Sequence, residues 1–172
     1  EQQGKADSYV FSFEESYGYL TGSYVRDKDG VDGAYMICEM FSYYATKGIS
    51  LLDKLDELYK TYGYCLNTLH SYEFDGSAGF AKMQSIMQAF RGDIKEFGGK
   101  KVVKLLDYAP GLDGLPKSDV LKFLLEDNCS IVVRPSGTEP KLKTYISVSA
   151  EDKEDAEKVE AKICKSAEEY LK

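Results

Sequence analysis

The spacing of hydrophobic positions changes several times along the chain, and each spacing predicts one type of element. Residues 8–13 (Ser-Tyr-Val-Phe-Ser-Phe) are aromatic and β-prone, which predicts a strand that leads into the polar cluster at residues 14–18. Apolar residues at helical spacing then predict helices over about 31–47 and 51–62, with Gly48 between them. The first 62 residues therefore contain a strand and two helices.

The predicted helix starts are supported by residues suited to cap them. Asp29 precedes the first helix and can accept hydrogen bonds from its free backbone N–H groups. Ser50 precedes the second helix, with Asp53 three positions later, which is the spacing of a capping box.

From Cys65 onward the pattern changes to a strand, a helix, several strands and a closing helix. The predicted elements are a strand over 65–74, a helix over 77–91, strands over 101–108, 120–126, 130–134 and 141–148, and a helix over 152–171. Short polar turns join consecutive strands, which favours an antiparallel sheet covered by helices. The fold class predicted for this part is α+β.

The mainly helical part and the strand-rich part meet near residues 62–66, which predicts two domains. We expect residues 1–65 to be the helical tail of a domain whose beginning is missing, because a strand and two helices bury too little surface to be stable alone. This part would pack on the second domain or on an absent N-terminal region. Residues 66–172 form a complete α+β domain of ordinary size.

Composition narrows the class of protein. Hydrophobic residues make up 43% of the chain, which is enough for a core, and no run of about 18 apolar residues indicates a membrane span or signal segment. The net charge of −7 argues against nucleic acid and acidic membranes as partners. We expect a soluble, cytoplasmic protein whose four scattered cysteines, without a CxxC pair, are reduced and structural.

One local cationic segment stands out in this acidic chain. Arg134 to Lys143 contains three positive charges and one negative charge, and it includes the string Arg-Pro-Ser-Gly-Thr-Glu-Pro at 134–140 between two predicted strands. Arg134 offers a fork of donors, Ser136 and Thr138 offer hydroxyls, and Gly137 lets the backbone turn so that successive N–H groups point inward. These groups suit a phosphate dianion. The alternative is an ordinary polar hairpin, because the same residue types are common in turns.

A second polar segment lies at the end of the first predicted strand. Glu14-Glu15-Ser16-Tyr17-Gly18 is followed, after a short gap, by Arg26-Asp27-Lys28-Asp29-Gly30. A carboxylate beside a hydroxyl can accept from and donate to adjacent sugar hydroxyls. The alternative is a solvated acidic turn and a charged helix start. A calcium loop is not expected, because its glycine would be needed at the sixth position and here it is the fourth.

Other chemistry is not indicated. His70 is the single histidine, and its predicted strand is distant in sequence from any cysteine or aspartate cluster, so we expect a structural or surface role for it. The chain has no serine with a plausible histidine partner, no phosphate-binding GxxxxGKS loop, no GxGxxG and no zinc-type cysteine pairs. No catalytic residue is predicted.

Three strings together resemble one enzyme family. FEESYGYL at 13–20, VRDKDGV at 25–31 and RPSGTEPKLKTYISV at 134–148 are similar, in this order, to α-D-phosphohexomutases, and most similar to the bacterial-type α-phosphoglucomutases. Ser12 occupies a position where the family commonly has glycine, a minor departure. The resemblance covers all 172 residues but only about the last third of a family enzyme.

The resemblance implies roles for particular residues. Glu14 and Ser16 match the sugar-discriminating loop of the family's third domain, and Lys28 matches a lysine near the substrate. Arg134, Ser136, Gly137 and Thr138 match the phosphate-binding loop of the fourth domain. Residues 1–65 would be the helical tail of domain three, an α/β domain. Residues 66–172 would be domain four, which has a fold like the TATA-binding protein.

The resemblance also implies what this span lacks. Family enzymes are isomerases of carbohydrate metabolism that use a phosphorylated serine in domain one and Mg²⁺ held by three aspartates in domain two, to move phosphate between the 1- and 6-positions of a hexose. No SHNP-like or DGDxDR-like string occurs here. The expected molecule is therefore a recognition fragment of a phosphoglucomutase or phosphomannomutase, inactive alone, with no cofactor of its own and with the missing N-terminal domains and a phosphosugar as partners.

Two alternatives remain open at this point. The chain could be a stand-alone phosphosugar-binding module, or a fragment of a phosphopentomutase, because a Glu-x-Ser loop alone does not fix the preferred sugar.

Overall fold

A computed structural model describes residues 4–14, 17–137 and 140–171. The chain divides into two compact units, Glu1–Leu58 and Tyr59–Lys172. The assignment of 1–65 and 66–172 to family domains stays a prediction. Described elements of the first unit are a short 3-10 helix at Ala6–Ser8, a hairpin of β1 (Ser12–Phe13) and β2 (Tyr19–Leu20), helix α1 (Gly30–Ala45), and helix α2 (Leu51–Tyr62), which runs into the second unit.

The strand predicted over residues 8–13 is mostly wrong. Only Ser12 and Phe13 pair in a ladder, and Ala6–Ser8 forms a 3-10 turn instead. The reason is that aromatic, β-prone residues form a strand only beside a partner strand, and in the described part of the chain β2 offers a partner for two residues. The Tyr9 hydroxyl donates instead to the carbonyl of Leu20 at 2.8 Å.

Both predicted helix caps are confirmed. The Asp29 carboxylate accepts from the N–H groups of Val31 (2.9 Å) and Asp32 (3.2 Å), and these backbone donors hold the pKa of Asp29 below its ordinary value. Ser50 Oγ accepts from the N–H of Asp53 at 3.0 Å, while the Asp53 carboxylate accepts from the N–H of Ser50 at 3.1 Å. This reciprocal pair is the capping box that the sequence predicts.

The second unit is built on an antiparallel sheet. Its described strands are β3 (Tyr64–Glu73), β4 (Glu96–Phe97), β5 (Lys100–Asp107), β6 (Leu121–Leu125), β7 (Ser130–Pro135) and β8 (Lys141–Ala150), in the spatial order β3-β8-β7-β6-β5-β4. Helices α3 (Gly76–Phe90) and α4 (Lys153–Glu168) and a 3-10 turn at Glu169–Leu171 complete it. The predicted α+β class is confirmed, and every predicted element of this unit is present with ends shifted by a few residues.

The core lies on one face of the sheet. Along β8 the buried and part-exposed positions alternate, so that Leu142, Thr144, Ile146 and Val148 lie in the core while Lys143 and Tyr145 point to the other face. Both helices contribute to the same buried cluster, with Met87 and Phe90 from α3 and Ala156 and Ile163 from α4 among its members. The helices therefore cover one face of the sheet, and the opposite face is the outer face.

A tight hairpin was missed by the sequence analysis. Phe97 of β4 pairs with Lys100 of β5 across Gly98 and Gly99, which have φ angles of +58° and +85°. Two successive left-handed residues are typical of the two-residue turn that matches strand twist. The Gly-Gly pair itself was the available signal. The hairpin places Phe97, which is fully buried, against Phe90 and Phe123.

All four cysteines are free thiols, with Cys38 and Cys65 exposed, Cys164 part-buried and Cys129 buried. Within residues 4–14, 17–137 and 140–171, none of the helices combines the length and apolar character needed to cross a bilayer.

Candidate functional site

The predicted phosphate loop joins β7 to β8 in the second unit. The N–H of Ser136 donates to the carbonyl of Lys141 at 2.7 Å and closes the connection after the last strand pair, Pro135 with Leu142. The loop is also fastened to β3, because the N–H of Phe74 donates to the carbonyl of Pro140 at 2.9 Å. These backbone bonds tie both ends of the loop to the sheet.

Arg134 and Lys143 occupy directly opposite positions on β7 and β8. Both lie on the outer face, since their neighbours Val133, Leu142 and Thr144 are in the core. Like charges directly opposite each other on a sheet are destabilising. Among the residues that the structure describes, neither cation has a carboxylate or other hydrogen-bonding partner. Their juxtaposition creates a positive potential next to the loop that an anion would neutralise.

The other residues predicted to bind phosphate in this loop are Ser136, Gly137 and Thr138, and the structure describes the first two. Ser136 is part-exposed, and its backbone N–H is already used in the loop closure. Thr138 lies outside the described residues, so its predicted role stays a prediction. Lys141, next along the chain, forms an ion pair with Glu73 of β3 at 3.2 Å.

The inward-pointing N–H groups expected around Gly137 stay a prediction. Its φ angle is outside the left-handed region, and a Cβ added at this position would have no atom of the described residues within 4 Å. The φ angle itself therefore does not require a glycine. The open space means instead that a ligand could approach the backbone at Gly137 more closely than it could approach a residue with a side chain.

The predicted sugar-binding residues of the first unit lie around the β1–β2 hairpin. The N–H of Glu14 donates to the carbonyl of Gly18 at 2.9 Å, and the N–H of Asp29 donates to the carbonyl of Tyr19 at 2.7 Å. The second bond links the hairpin to the segment that contains Lys28. Ser16 lies outside the described residues, and its role stays a prediction.

Glu14 and Lys28 are brought together by this arrangement. Lys28 Nζ lies 3.2 Å from a carboxylate oxygen of Glu14, and the side chains are 51% and 38% exposed. The hydrogen bond and charge of Glu14 raise the pKa of Lys28. An exposed ion pair of this kind contributes little to stability. Its donors and acceptors remain accessible to sugar hydroxyls.

Sequence reasoning missed two glycines that make this arrangement possible. A Cβ on Gly18 would lie 2.6 Å from Cδ of Lys28 and 2.8 Å from Oε1 of Glu14. A Cβ on Gly33, in the first turn of α1, would lie 2.7 Å from Cδ2 of Tyr19. Gly33 therefore lets the helix approach the hairpin. At Gly18 the nearest atoms belong to the flexible side chains of Glu14 and Lys28, so glycine there gives the ion pair more room. Neither effect can be recognised from sequence without the contacts.

A cavity of about 460 Å³ also lies in the first unit. Its lining includes Lys5, Tyr9, Leu20 and Arg26, and neither Glu14 nor Lys28 belongs to it. The cavity is therefore separate from the side chains of Glu14 and Lys28.

The structure gives His70 neighbours that the sequence did not indicate. His70 lies in the strand β3, where its Nε2 is 2.8 Å from Oε1 of Glu160, and a ring nitrogen lies within 4.8 Å of the Cys164 sulfur. Its expected structural or surface role stays a prediction. Helix α4 contacts β3 in the fold, although the residues are 90 positions or more apart in sequence. Spacing along the chain gave no signal of this cluster.

Comparison with known proteins gives two matches to family models. The model described as "Phosphoglucomutase/phosphomannomutase, C-terminal domain" matches residues 76–166. The model described as "Phosphoglucomutase/phosphomannomutase, alpha/beta/alpha domain III" matches residues 2–62. The two models therefore match most of the chain in the order in which the sequence motifs occur.

Similar individual proteins include phosphoglucomutases of Staphylococcus aureus. The proteins from strains MSSA476 and N315 are 39% and 38% identical to this chain over 167 residues. The alignment covers 90% of this chain, and the chain spans 30% of the length of these relatives. A crystal structure of parafusin, a phosphoglucomutase from Paramecium, in its open form, is similar in fold with a TM-score of 0.69 at 20% identity, covering 99% of this chain and 32% of that one.

Proposed function

Because this chain belongs to the phosphoglucomutase/phosphomannomutase family, we propose that it is the substrate-recognition part of an enzyme that interconverts hexose 1-phosphate and hexose 6-phosphate. Arg134, Ser136, Gly137 and Thr138 bind the phosphate that does not react. Glu14, Ser16 and Lys28 bind sugar hydroxyls.

The observation that carries this proposal is the pair Arg134 and Lys143 beside the β7–β8 loop. Two cations directly opposite each other on a sheet repel and destabilise it, and a bound anion removes this repulsion. An arginine can bind a phosphate through two parallel N–H···O bonds, and each charge-assisted bond contributes about 1.5–3 kcal/mol. A phosphate dianion at this place would neutralise both cations.

Recognition remote from the reacting atoms explains how such a part assists catalysis. Contacts with the non-reacting phosphate and with the hydroxyls fix the orientation of the sugar, so that the reacting oxygen is held against the catalytic groups of the remaining domains. Both ends of the loop are hydrogen-bonded to the sheet. A loop whose ends are already held loses less entropy on binding, which favours affinity for the phosphate.

The Mg²⁺ of the parent enzyme is proposed to be held by the domains that this span does not include. The sequence has no string like the family's three-aspartate loop, so its own residues do not fit that ion, and no step proposed for this chain involves it. The chain also has no string like the family's phosphorylated serine. We therefore expect no mutase turnover by these residues alone, and glucose 6-phosphate formed from glucose 1-phosphate by the purified chain would contradict this.

The first unit is proposed to pack against the rest of the α/β/α domain. Helix α1 exposes many large apolar side chains, and its one buried residue among those described is Gly33. Exposed fractions along it include 66% for Tyr35, 44% for Ile37 and 58% for Phe41. Monomeric soluble proteins rarely leave such a patch uncovered. The partner that covers it would be the part of a longer parent protein that this span does not include. This agrees with the chain spanning 30% of the length of its relatives.

Calorimetric titration with inorganic phosphate and with glucose 6-phosphate tests the proposal. Arg134→Ala should weaken binding of both ligands by about 1.5–3 kcal/mol, which is roughly 10- to 150-fold. Arg134→Lys keeps the charge but loses the two-pronged geometry, so an intermediate loss is expected. Lys104→Ala is the matched control, because it removes an exposed cation from β5, away from the loop. Equal affinity of Arg134→Ala and Lys104→Ala would refute the role of Arg134.

The sugar contacts are tested by comparing the two ligands. Glu14→Gln should weaken binding of glucose 6-phosphate and leave the affinity for inorganic phosphate unchanged, because Glu14 is proposed to contact only hydroxyls. Loss of both affinities would contradict that assignment. Turnover of glucose 1-phosphate, mannose 1-phosphate and ribose 1-phosphate by the full-length parent would rank the possible sugars.

A further inference from the structure

A mixed cluster of ligand-type side chains lies between β3 and α4, outside the proposed phosphosugar site. Nε2 of His70 is 2.8 Å from Oε1 of Glu160. One ring nitrogen of His70, one carboxylate oxygen of Glu160 and Sγ of Cys164 all lie within 4.8 Å of one another. The side chains of His70 and Glu160 are 32% and 13% exposed. The three groups are therefore close together, part-buried and still reachable from solvent.

The fold places these residues on two regular elements. The exposed positions of β3 alternate with part-buried ones, and His70 and Thr68 belong to the part-buried set that faces α4. Glu160 and Cys164 are four residues apart on α4, so they project from the same side of the helix. Ligands held on a strand and a helix are positioned more firmly than ligands on loops.

The donor atoms match the preferences of one class of metal ion. An imidazole nitrogen, a carboxylate oxygen and a thiolate sulfur are the three protein ligands of zinc, whereas magnesium and calcium prefer oxygen alone. Thr68 Oγ1 donates to the same Glu160 oxygen at 2.7 Å. Hydrogen bonds of this kind commonly orient the ligands of metal sites.

We propose that His70, Glu160 and Cys164 bind a divalent transition metal ion, with Zn²⁺ as the favoured ion and water in a fourth position. On binding, the imidazole is neutral, the carboxylate is ionised and the thiol of Cys164 loses its proton to solvent as the metal–sulfur bond forms. The carboxylate and thiolate together balance the charge of the ion. The side chains must rotate to bring these atoms, now within 4.8 Å of one another, to a common point at metal–ligand distances of about 2.0–2.3 Å.

The proposed metal site is independent of the proposed phosphate site. His70 faces α4 on the helix-covered side of the sheet, and Arg134 lies on the outer face. It also differs from the magnesium site of the family, which is made by three aspartates. If the metal site is refuted, the phosphate site is unaffected, and the reverse also holds.

Cobalt substitution of the full 172-residue chain is the test. Addition of Co²⁺ should give one tight equivalent with a sulfur-to-cobalt charge-transfer band in the near ultraviolet. Cys164→Ser should abolish the band, and His70→Gln should lower Co²⁺ affinity at least about tenfold, the scale for loss of a ligand or its support. Cys65→Ser is the matched control, because Cys65 is an exposed thiol on the same strand, and it should keep both band and affinity.

Three results would overturn the proposal: no charge-transfer band in the unmodified chain, a band that persists in Cys164→Ser, or a band lost in Cys65→Ser. A second measurement needs no variant and so remains valid if a substitution prevents folding. X-ray absorption of the zinc-loaded chain should show one sulfur at about 2.3 Å beside nitrogen and oxygen ligands. A spectrum without sulfur would equally refute the site.

Discussion

The turn at Gly98 and Gly99 offers a matched pair of substitutions that isolates one backbone contact. Both residues have left-handed φ angles, +58° and +85°. Alanine in that region costs about 1–2 kcal/mol, and this cost is common to the two positions. Only at Gly98 does the added Cβ meet other atoms, at 2.5 Å from the carbonyl carbon of Lys162 and 2.6 Å from the nitrogen of Ile163. At Gly99 no atom of the residues that the structure describes lies within 4 Å of the added Cβ.

The magnitude follows from what must move. The atoms near Gly98 belong to the backbone of α4, which cannot rotate away as a side chain could, and ordinary contact requires roughly 3.5–4 Å. The hairpin or the helix must therefore shift by about 1 Å, and overpacking of this kind costs about 1–3 kcal/mol or more. We expect Gly99→Ala to destabilise the second unit by about 1–2 kcal/mol and Gly98→Ala by roughly 2–5 kcal/mol.

Amide hydrogen exchange at the buried positions of β8 is the appropriate assay. It reports the free energy of opening of this unit separately from the first unit. Leu142, Ile146 and Val148 are fully buried and provide the probes. If the two variants differ by less than about 0.5 kcal/mol, the close approach of the hairpin to α4 is wrong. A larger loss for Gly99→Ala would also contradict it.

Three further predictions concern other residues of the second unit. Thr144 has a buried hydroxyl without a hydrogen-bond partner among the described residues. Thr144→Val should therefore raise the free energy of unfolding by about 1 kcal/mol, whereas Thr144→Ser should lower it. Denaturation of both variants checks this. Hydrogen bonding from Arg91 lowers the pKa of Asp107, so the ionised carboxylate stabilises the fold above its unfolded pKa, and that contribution is lost as the pH falls through the folded pKa. Between about pH 6 and pH 2 the unmodified chain should therefore lose more stability than Arg91→Ala, and equal losses in two denaturation series would contradict the pairing. Gly137→Ala should leave stability within about 0.5 kcal/mol but weaken phosphate binding roughly tenfold, and unchanged affinity in calorimetry would show that no ligand approaches that backbone.

Sequence periodicity was most informative where elements pack on a core. The alternation along Lys141–Ala150 and the apolar stripe of α4 are direct consequences of one-sided burial, and both predict the observed elements. Capping residues were equally clear, because Asp29 and Ser50 act through backbone atoms within three residues. Local rules succeed where the physical cause is local.

The failures have long-range causes. The segment at residues 8–13 has strand-forming residues but lacks a long partner strand among the described residues, so only Ser12 and Phe13 pair. The proximity of His70 and Cys164 depends on how α4 crosses β3, and the need for glycine at Gly18 depends on the side chains of Glu14 and Lys28. Contacts between distant positions cannot be recognised from one sequence without the fold.

The candidate site could be predicted only in part, because some of its contacts join positions that are distant in sequence. Motif similarity identified the loop after Arg134 and the acidic segment at Glu14, and the structure adds the opposite position of Lys143 and the Glu14 to Lys28 ion pair. Ser16 and Thr138 lie outside the described residues, so their proposed contacts depend on experiment. The φ angle of Gly137 is outside the left-handed region, so its proposed contact with a ligand depends on experiment as well.

Amide chemical shifts of the β7–β8 loop during a phosphosugar titration test the central claim most directly. Addition of glucose 6-phosphate should shift the amide signals of residues 134, 136 and 137 and those across the pair at Lys143, with one common dissociation constant. Glucose without phosphate should leave these signals in place, because the loop is proposed to recognise the dianion. If the loop signals do not move while phosphosugar binds elsewhere on the chain, Arg134 and its neighbours are not the phosphate site.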